Sequence, residues 1–162
     1  MYENKFTHWI KWQERNTLSG IEFPGVYACA LADDSFNSTH GFNWVKQIIY
    51  IGMTNSAGGL RARLKQFDNT IVGKTGHGGA DRVRYKHRSY ERLINSLYVS
   101  VASFPCNVKS NQPEDLTVMG KVAKFEYDCF AEFVKNHGIL PEFNDKKNAK
   151  KYSLTIGREN GG

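Results

Sequence analysis

Long apolar runs and paired cysteines are both missing from this sequence. No apolar segment approaches the roughly 18 residues that a membrane-spanning helix requires, and the first residues, MYENKFTHWIKW, lack the basic-then-apolar order of a signal peptide. We therefore expect a protein that stays in the cytoplasm. The three cysteines, Cys29, Cys106 and Cys129, are odd in number, widely spaced and without a CxxC motif, which predicts reduced thiols with a structural role.

Several familiar site signatures are also missing. The sequence has no zinc-ligand spacing, no HExxH, no phosphate-cradling GxxxxGK[ST] and no pair of close acids that would suggest a two-metal site. It has no internal repeat, low-complexity tract or recognisable domain boundary. With 162 residues, of which 40% are hydrophobic, the chain is predicted to fold as one domain over residues 1–162 with a substantial core.

Acidic residues are outnumbered, because 16 Asp and Glu stand against 22 Lys and Arg, giving a formal net charge of +6. Such a charge suits a polyanionic partner. The basic residues concentrate in two segments, for which a solvated face and a loose tail are the ordinary alternative interpretations. The first segment contains Arg82, Arg84, Lys86, Arg88 and Arg92 with tyrosines interleaved, and the second contains Lys146, Lys147, Lys150 and Lys151.

Three segments have the composition of β-strands. They are rich in Val, Ile and Tyr and are bounded by turn-forming residues. The first two are joined by a polar connection, which predicts a hairpin with a long loop. The segments are GVYACALA (25–32), QIIYIGMT (47–54) and LYVSVASF (97–104).

Four other segments are predicted to be helical from the spacing of their apolar residues. The last has the clearest apolar stripe, and Gly138 follows it as a C-cap. VGKTGHGGADR and NVKSNQPEDLTVMG are predicted to be loops, and ILPEFN to be extended. The order of elements predicts an α+β fold with a small three-stranded, mainly antiparallel sheet flanked by helices. The predicted helices are FTHWIKWQER (6–15), LRARLKQF (60–67), RSYERLINS (88–96) and KVAKFEYDCFAEFVKNHG (121–138).

Two short motifs fall on the first two predicted strands, GVY at 25–27 and YIG at 50–52. LRARL follows on a predicted helix, Glu126 lies on the last helix, and Asn144 comes after it. In this order the set resembles the GIY-YIG nuclease domain over about residues 24–144, with a basic tail at 145–162. The resemblance implies that domain's fold, with loop insertions, and a catalytic set made of Tyr27, Tyr50, Arg63, Glu126 and Asn144.

The same resemblance implies one Mg²⁺ ion per active site, with Glu126 as its protein ligand and Mn²⁺ able to substitute. Arg61 is the alternative to Arg63. Where some members of the family carry a histidine one turn after the arginine, this chain has Phe67. A histidine from elsewhere, His77 or His87, is one way to replace it, and a site without histidine is the other. As a residue of the glycine-rich segment, His77 is expected to lie in a loop that contacts DNA.

The residue types suit phosphodiester hydrolysis, which needs an activated nucleophile, a counter-charge for the phosphate and help for the leaving 3′ oxygen. Tyrosines on neighbouring strands can place their phenols on one face of a sheet, and Tyr27 is expected to handle the nucleophile. Arg63 is a fixed cation for phosphate oxygens. One carboxylate, from Glu126, is sufficient for Mg²⁺, which is commonly held by one or two carboxylates with waters and substrate phosphate.

We expect no separate DNA-binding domain within these 162 residues, but the resemblance to the family indicates insertions at residues 33–44, 73–92 and 105–120. In this respect the chain resembles the compact restriction endonucleases of the GIY-YIG family, which implies a sequence-specific enzyme that cuts double-stranded DNA. Cutting both strands of a palindrome favours a homodimer. A structure-specific or nicking nuclease and a catalytically idle DNA-binding module are the alternatives. The expected DNA contacts are Arg61, His77, Arg82, Arg84, Lys86 and Arg88.

Overall fold

The computed structural model describes residues 5–33, 36 and 41–152. Its centre is one antiparallel sheet of four strands in the spatial order β1-β4-β2-β3. The fold is therefore α+β, as predicted, but with one strand more than the three expected. The strands are β1 (Ile10–Lys11), β2 (Gly25–Leu31), β3 (Ile48–Thr54) and β4 (Leu97–Ser103).

Helices cover both faces of this sheet. α1, α2 and α3 lie on one side, and the long helix α4 packs on the other side against β2 and β3. Two short 3-10 helices, Trp12–Thr17 and Glu142–Asn144, complete the described elements. The helices are α1 (Gly59–Val72), α2 (Gly78–Lys86), α3 (Tyr90–Ser96) and α4 (Pro113–His137).

The sheet separates two hydrophobic cores. Successive side chains of a strand point to opposite faces, so the central strand β2 contributes to both. Val26, Ala28 and Ala30 enter the core beneath α4. Tyr27 and Cys29 enter the core beneath α1 and α2. The motif tyrosine is therefore on the face that α1 covers.

The additional strand β1 comes from the segment predicted as the helix 6–15, so that prediction was wrong for its first half. The aromatic residues of this segment belong to different cores: Trp9 packs beneath α4, whereas Trp12 packs on the opposite side of the sheet. An extended backbone satisfies both, because its side chains alternate between faces. Ile10 pairs with Val99 of β4, and a 3-10 helix begins only at Trp12.

Two predicted loops are partly helical. α4 begins at Pro113, inside the segment predicted as the loop 107–120, because Pro113 occupies the first turn, where its missing N–H costs no hydrogen bond. It ends as predicted, with Gly138 in the left-handed conformation at φ 77°. The segment predicted as the exposed loop 72–82 contains the end of α1 and the start of α2.

A β-bulge in β3 sets the direction of its tyrosine. Cys29 pairs with Tyr50 but Ala30 pairs with Ile48, so Ile49 is one extra residue on β3. Such a bulge changes which face the neighbouring side chains occupy. As a result, Ile49 and Tyr50 both lie on the Tyr27 side of the sheet, whereas Ile51 lies beneath α4.

The three cysteines are free, as predicted, and Cys29 and Cys129 are buried. In the part of the chain that the structure describes, no helix is both long enough and apolar enough to cross a membrane.

Candidate active site

A tyrosine of the first motif meets a histidine inside the molecule. The Tyr27 hydroxyl lies 2.6 Å from Nε2 of His77, and both side chains are almost inaccessible to solvent. His77 therefore does not lie in an exposed loop, and at 1% exposure it is not available to contact DNA. That expectation was wrong because His77 is the N-cap of α2, packed against Phe67 of α1.

The hydrogen bonds of His77 fix which ring nitrogen carries the proton. The backbone N–H of Ala80 donates to Nδ1 at 3.1 Å, so Nδ1 is unprotonated. Burial, reinforced by the charge of Arg63, lowers the pKa of His77 to about 3, so the ring is neutral at pH 7. A neutral ring with an unprotonated Nδ1 carries its proton on Nε2. His77 therefore donates to the Tyr27 oxygen, and the hydroxyl proton of Tyr27 points elsewhere.

We assign the Tyr50 oxygen as the hydrogen-bond acceptor for the hydroxyl proton of Tyr27. The Tyr27 and Tyr50 ring centres are 6.0 Å apart. Burial raises the pKa of Tyr50, while the charge of Arg63 and a hydrogen bond with Tyr27 act in the opposite direction. Burial also raises the pKa of Tyr27 well above its ordinary value, and the charge of Tyr50 adds to this. Both phenols are therefore neutral at pH 7.

Two glycines leave room for these rings. A Cβ on Gly52 would lie 2.5 Å from the Tyr27 oxygen, and a Cβ on Gly79 would lie 2.3 Å from Cε2 of Tyr50. Real Cβ atoms do not approach other atoms so closely, so any side chain at either position would displace a phenol. Gly52 of the second motif thus leaves the space that the Tyr27 ring of the first motif occupies.

Arg63, and not Arg61, faces the tyrosines. Arg61 is exposed, whereas Arg63 is half-buried and donates from Nη1 to Oε1 of Gln66 at 2.5 Å. Gln66 in turn donates to the carbonyl of Gly76 at 2.9 Å. Within the described residues the buried Nε of Arg63 has no hydrogen-bond partner. Arg63 is therefore the arginine of α1 that lies near the tyrosines, and its guanidinium contains a buried donor without a partner among the described residues.

Glu126 approaches from the opposite face of the sheet. It lines a cavity of about 420 Å³ with Tyr50, Asn144 and Lys146 among its neighbours. Burial raises the pKa of Glu126 to about 7, although the charges of Arg63 and Lys146 oppose this. Because β3 is an edge strand, side chains from α1 and α4 can meet around it. The carboxyl group is thus poised between its two protonation states near neutral pH.

Asn144 joins the site through the backbone of β3. Its carboxamide accepts from the N–H of Ile51 and donates to the carbonyl of Ile51, both at 2.8 Å. With both ends engaged, the side chain anchors the segment after α4 to the edge of the sheet. Asn144 therefore fixes one wall of the cavity that Glu126 lines.

The residues expected to contact DNA differ in their exposure and in their partners. Arg82 is nearly buried, at 9% exposure. Arg84 stacks on Tyr152 at 3.8 Å, and Lys86 pairs with Glu142 at 2.5 Å. Arg61 and Arg88 are exposed. His87 was the other histidine considered for the site; it lies instead in a separate cavity near Arg88 and contacts Phe143.

His77 was one of two histidines considered for the site, but its glycine-rich surroundings predicted an exposed loop instead. Its neighbours Gly76, Gly78 and Gly79 are typical of a loop. In the structure, however, α2 begins at Gly78, and Gly79 packs against Tyr50, where a larger residue would not fit. The pair of glycines directly after a histidine was the available signal. Gln66, which orients Arg63, lies one turn after it on α1 and was detectable by helical spacing.

No family model, curated protein or solved structure matches the chain. The chemistry of the site and the sequence motifs therefore carry the functional assignment.

Proposed function

We propose that this protein is a Mg²⁺-dependent DNA endonuclease that hydrolyses phosphodiester bonds. The observation that carries the proposal is the set of groups gathered around the edge of β3: the paired phenols of Tyr27 and Tyr50, the buried imidazole of His77, the guanidinium of Arg63 and the carboxyl group of Glu126. The phenols pack closely against the backbone of Gly52 and Gly79, where a side chain would not fit. Both tyrosines, His77 and Glu126 have shifted pKa values, and such groups cluster at catalytic sites more often than in structural cores.

Tyr50 is the phenol that we assign to the nucleophile. Tyr27 was expected in this role, but it is completely buried, whereas Tyr50 lines the cavity beside Glu126. A neutral phenol can accept a hydrogen bond from a water and orient it toward a phosphate. Tyr27 and His77 lie behind Tyr50 and fix the position of its oxygen. They act as positioning residues.

Arg63 supplies the fixed positive charge. Its partner Gln66 occupies Nη1, and the remaining guanidinium donors suit the non-bridging oxygens of a phosphate. Donors that are already oriented need no reorganisation when negative charge develops on the phosphate during hydrolysis.

Glu126 is the protein ligand that we assign to Mg²⁺. Within the described residues no group of three or more His, Cys, Asp or Glu is placed to hold a metal ion. A single carboxylate beside a 420 Å³ cavity nevertheless suits Mg²⁺, which keeps several waters and shares its coordination with substrate phosphate. The bound ion, for which Mn²⁺ can substitute, would offset phosphate charge and lower the pKa of a bound water.

The proposed substrate is double-stranded DNA cut at a specific sequence, as in restriction enzymes. The net charge of +6 and the exposed Arg61 and Arg88 support a polyanionic partner. The resemblance to compact GIY-YIG restriction enzymes supports sequence specificity, and cutting both strands of a symmetric site would favour a homodimer.

Incubation of supercoiled plasmid with the protein, in Mg²⁺ or in chelator, tests the proposal. Discrete linear fragments in Mg²⁺ alone are the expected result, and open circles would favour the nicking alternative. The Glu126→Gln variant should abolish cleavage, while Glu132→Gln, on the same helix, should cut like the wild type. A gel shift without any cleavage would overturn the proposal and indicate a DNA-binding module.

A further inference from the structure

Arg82 of α2 is a nearly buried cation. Only 9% of the residue is exposed, and its Nε is buried with no hydrogen-bond partner in the described part of the chain. The ion pairs among the described residues involve Arg15, Lys86 and Lys124, and not Arg82. Removing a charge from water without a compensating partner is unfavourable, because the hydration of the charge is lost. An anionic ligand would supply that compensation.

A second cation converges on the same point. A Cβ built on Gly78 would lie 3.8 Å from Nη1 of Arg82 and 3.4 Å from Nζ of Lys151. Arg82 comes from α2, and Lys151 comes from the segment that follows the sheet and the last 3-10 helix. Their charges would repel one another, so this arrangement favours a negative group between them.

The N-terminus of α2 completes the positive surface. This nine-residue helix begins at Gly78. The N–H groups of Ala80 and Asp81 bond to His77, whereas those of Gly78 and Gly79 donate to no acceptor among the described residues. Amides at the start of a helix, together with its dipole, favour bound anions. Here the amides are supported by the buried guanidinium of Arg82.

This surface adjoins the candidate active site. Gly79 packs directly against the ring of Tyr50, and His77, which precedes Gly78, bonds to Tyr27. A phosphate held at Gly78 would therefore lie beside the residues assigned to catalysis.

We propose that Arg82, Lys151 and the first amides of α2 form a phosphate subsite for the phosphodiester neighbouring the one that is cut. The proposal rests on the proposed nuclease function for the identity of its ligand. A phosphodiester carries one negative charge and two acceptor oxygens, which can receive bonds from a guanidinium, an ammonium and backbone amides together. The subsite would fix the register of the strand relative to Tyr50 and Arg63.

Binding without cleavage tests the subsite. Affinity for a duplex oligonucleotide is measured in chelator over a range of salt concentrations, and thermal stability is measured with and without inorganic phosphate. Arg82→Met should bind the duplex about tenfold more weakly and reduce the salt slope by about one. The phosphate-dependent rise in Tm of the wild type should disappear, while the Tm in phosphate-free buffer should stay equal or increase, because an unpaired buried charge is gone.

A purely structural Arg82 would behave in the opposite way. Arg82→Met would then lower the Tm in phosphate-free buffer and leave duplex affinity and salt slope unchanged per folded molecule, which overturns the subsite. Lys151→Gln provides an independent variant that leaves the core intact, and it should also reduce the salt slope and the phosphate response. Lys135→Gln, an exposed lysine on α4, is the matched control and should change neither.

The outcomes separate the subsite from the nuclease. Arg82-dependent duplex binding without any cleavage in Mg²⁺ would overturn the nuclease function and support the subsite. If the protein cleaves DNA but Arg82→Met and Lys151→Gln both bind the duplex as tightly as the wild type, only the subsite is overturned. A response to inorganic phosphate with no effect on duplex affinity would overturn the assignment to a phosphodiester.

Discussion

Gln66 holds Arg63 and the chain segment before His77 with one carboxamide. Its Oε1 accepts from Nη1 of Arg63 at 2.5 Å, while its Nε2 donates to the carbonyl of Gly76 at 2.9 Å. The orientation of the guanidinium and the position of the His77 N-cap are therefore linked through a single side chain.

Replacing Gln66 should remove the link between the Arg63 guanidinium and the His77 N-cap. Gln66→Leu keeps a similar volume but removes both hydrogen bonds, so Arg63 gains rotational freedom and its charge is less well placed on the phosphate. We expect cleavage to slow by about tenfold or more, with duplex binding in chelator changed much less. Single-turnover cleavage is the measurement. Lys65→Leu, at the exposed neighbouring position, is the control, and equal rates for both variants would contradict the linkage.

Gly79 should not tolerate a methyl group. In Gly79→Ala the new Cβ would begin 2.3 Å from the Tyr50 ring, so the ring must move and its oxygen leaves the cavity. We expect loss of cleavage with the fold retained, measured by plasmid digestion and circular dichroism. The matched control is Gly120→Ala on α4, where the Cβ meets nothing within 4 Å. That variant should gain about 0.5–1 kcal/mol of stability and cut normally. Full activity of Gly79→Ala would show that Tyr50 need not be fixed.

His77 should make the protein sensitive to mild acid. Its pKa is about 3 in the folded protein and near 6.5 in the unfolded chain, so between these values the unfolded chain binds a proton that the folded protein does not. Stability therefore falls as the pH falls below about 6.5, by about 1.4 kcal/mol per pH unit from this group. Urea unfolding at pH 7.5 and 5.0 measures the loss.

The comparison with His77→Asn isolates this effect. Asparagine can still cap α2 but does not titrate, so the variant should lose about 2 kcal/mol less than the wild type between the two pH values. Carboxyl groups that titrate in both proteins cancel in the difference. If both proteins lose the same stability between the two pH values, the folded protein takes up a proton on His77 as readily as the unfolded chain does, and the prediction is wrong.

Glu126 should couple metal binding to pH. With a pKa of about 7, its carboxyl group must release a proton before it can hold a divalent ion. The apparent affinity for Mn²⁺ or Mg²⁺ should therefore weaken by about tenfold between pH 8 and pH 6, because the ionised fraction falls by about that factor. Calorimetric titration of the metal, with Glu126→Gln as the blank, gives the affinity. Metal binding that is independent of pH over this range would place the ligand elsewhere.

The sequence predicted the parts of the fold that depend on local patterns. The three main strands, α1 and the C-terminal half of α4 follow from apolar spacing, and Gly138 from its position after the last turn. The opposite directions of Arg61 and Arg63 follow from the 100° step of a helix. These features need no knowledge of distant contacts.

The remaining features depend on contacts between distant segments. The position of His77 is set by its packing against Phe67 and by its bond to Tyr27, 50 positions earlier in the chain. β1 exists because Trp9 and Trp12 are buried in different cores, which a helical pattern cannot reveal. The buried state of Tyr27 likewise depends on α1 and α2 closing over it, and this is why Tyr50 replaces it at the cavity.

The carboxamide of Asn144 has a consequence beyond the site. It presents a carbonyl and an N–H to Ile51 in the manner of a peptide group, at the outer edge of the apolar strand β3. An uncovered edge of this composition is a template on which other chains can add strands and aggregate. The Asn144 side chain thus occupies the backbone groups of Ile51 that an added strand would need, so it blocks strand addition at the middle of this edge.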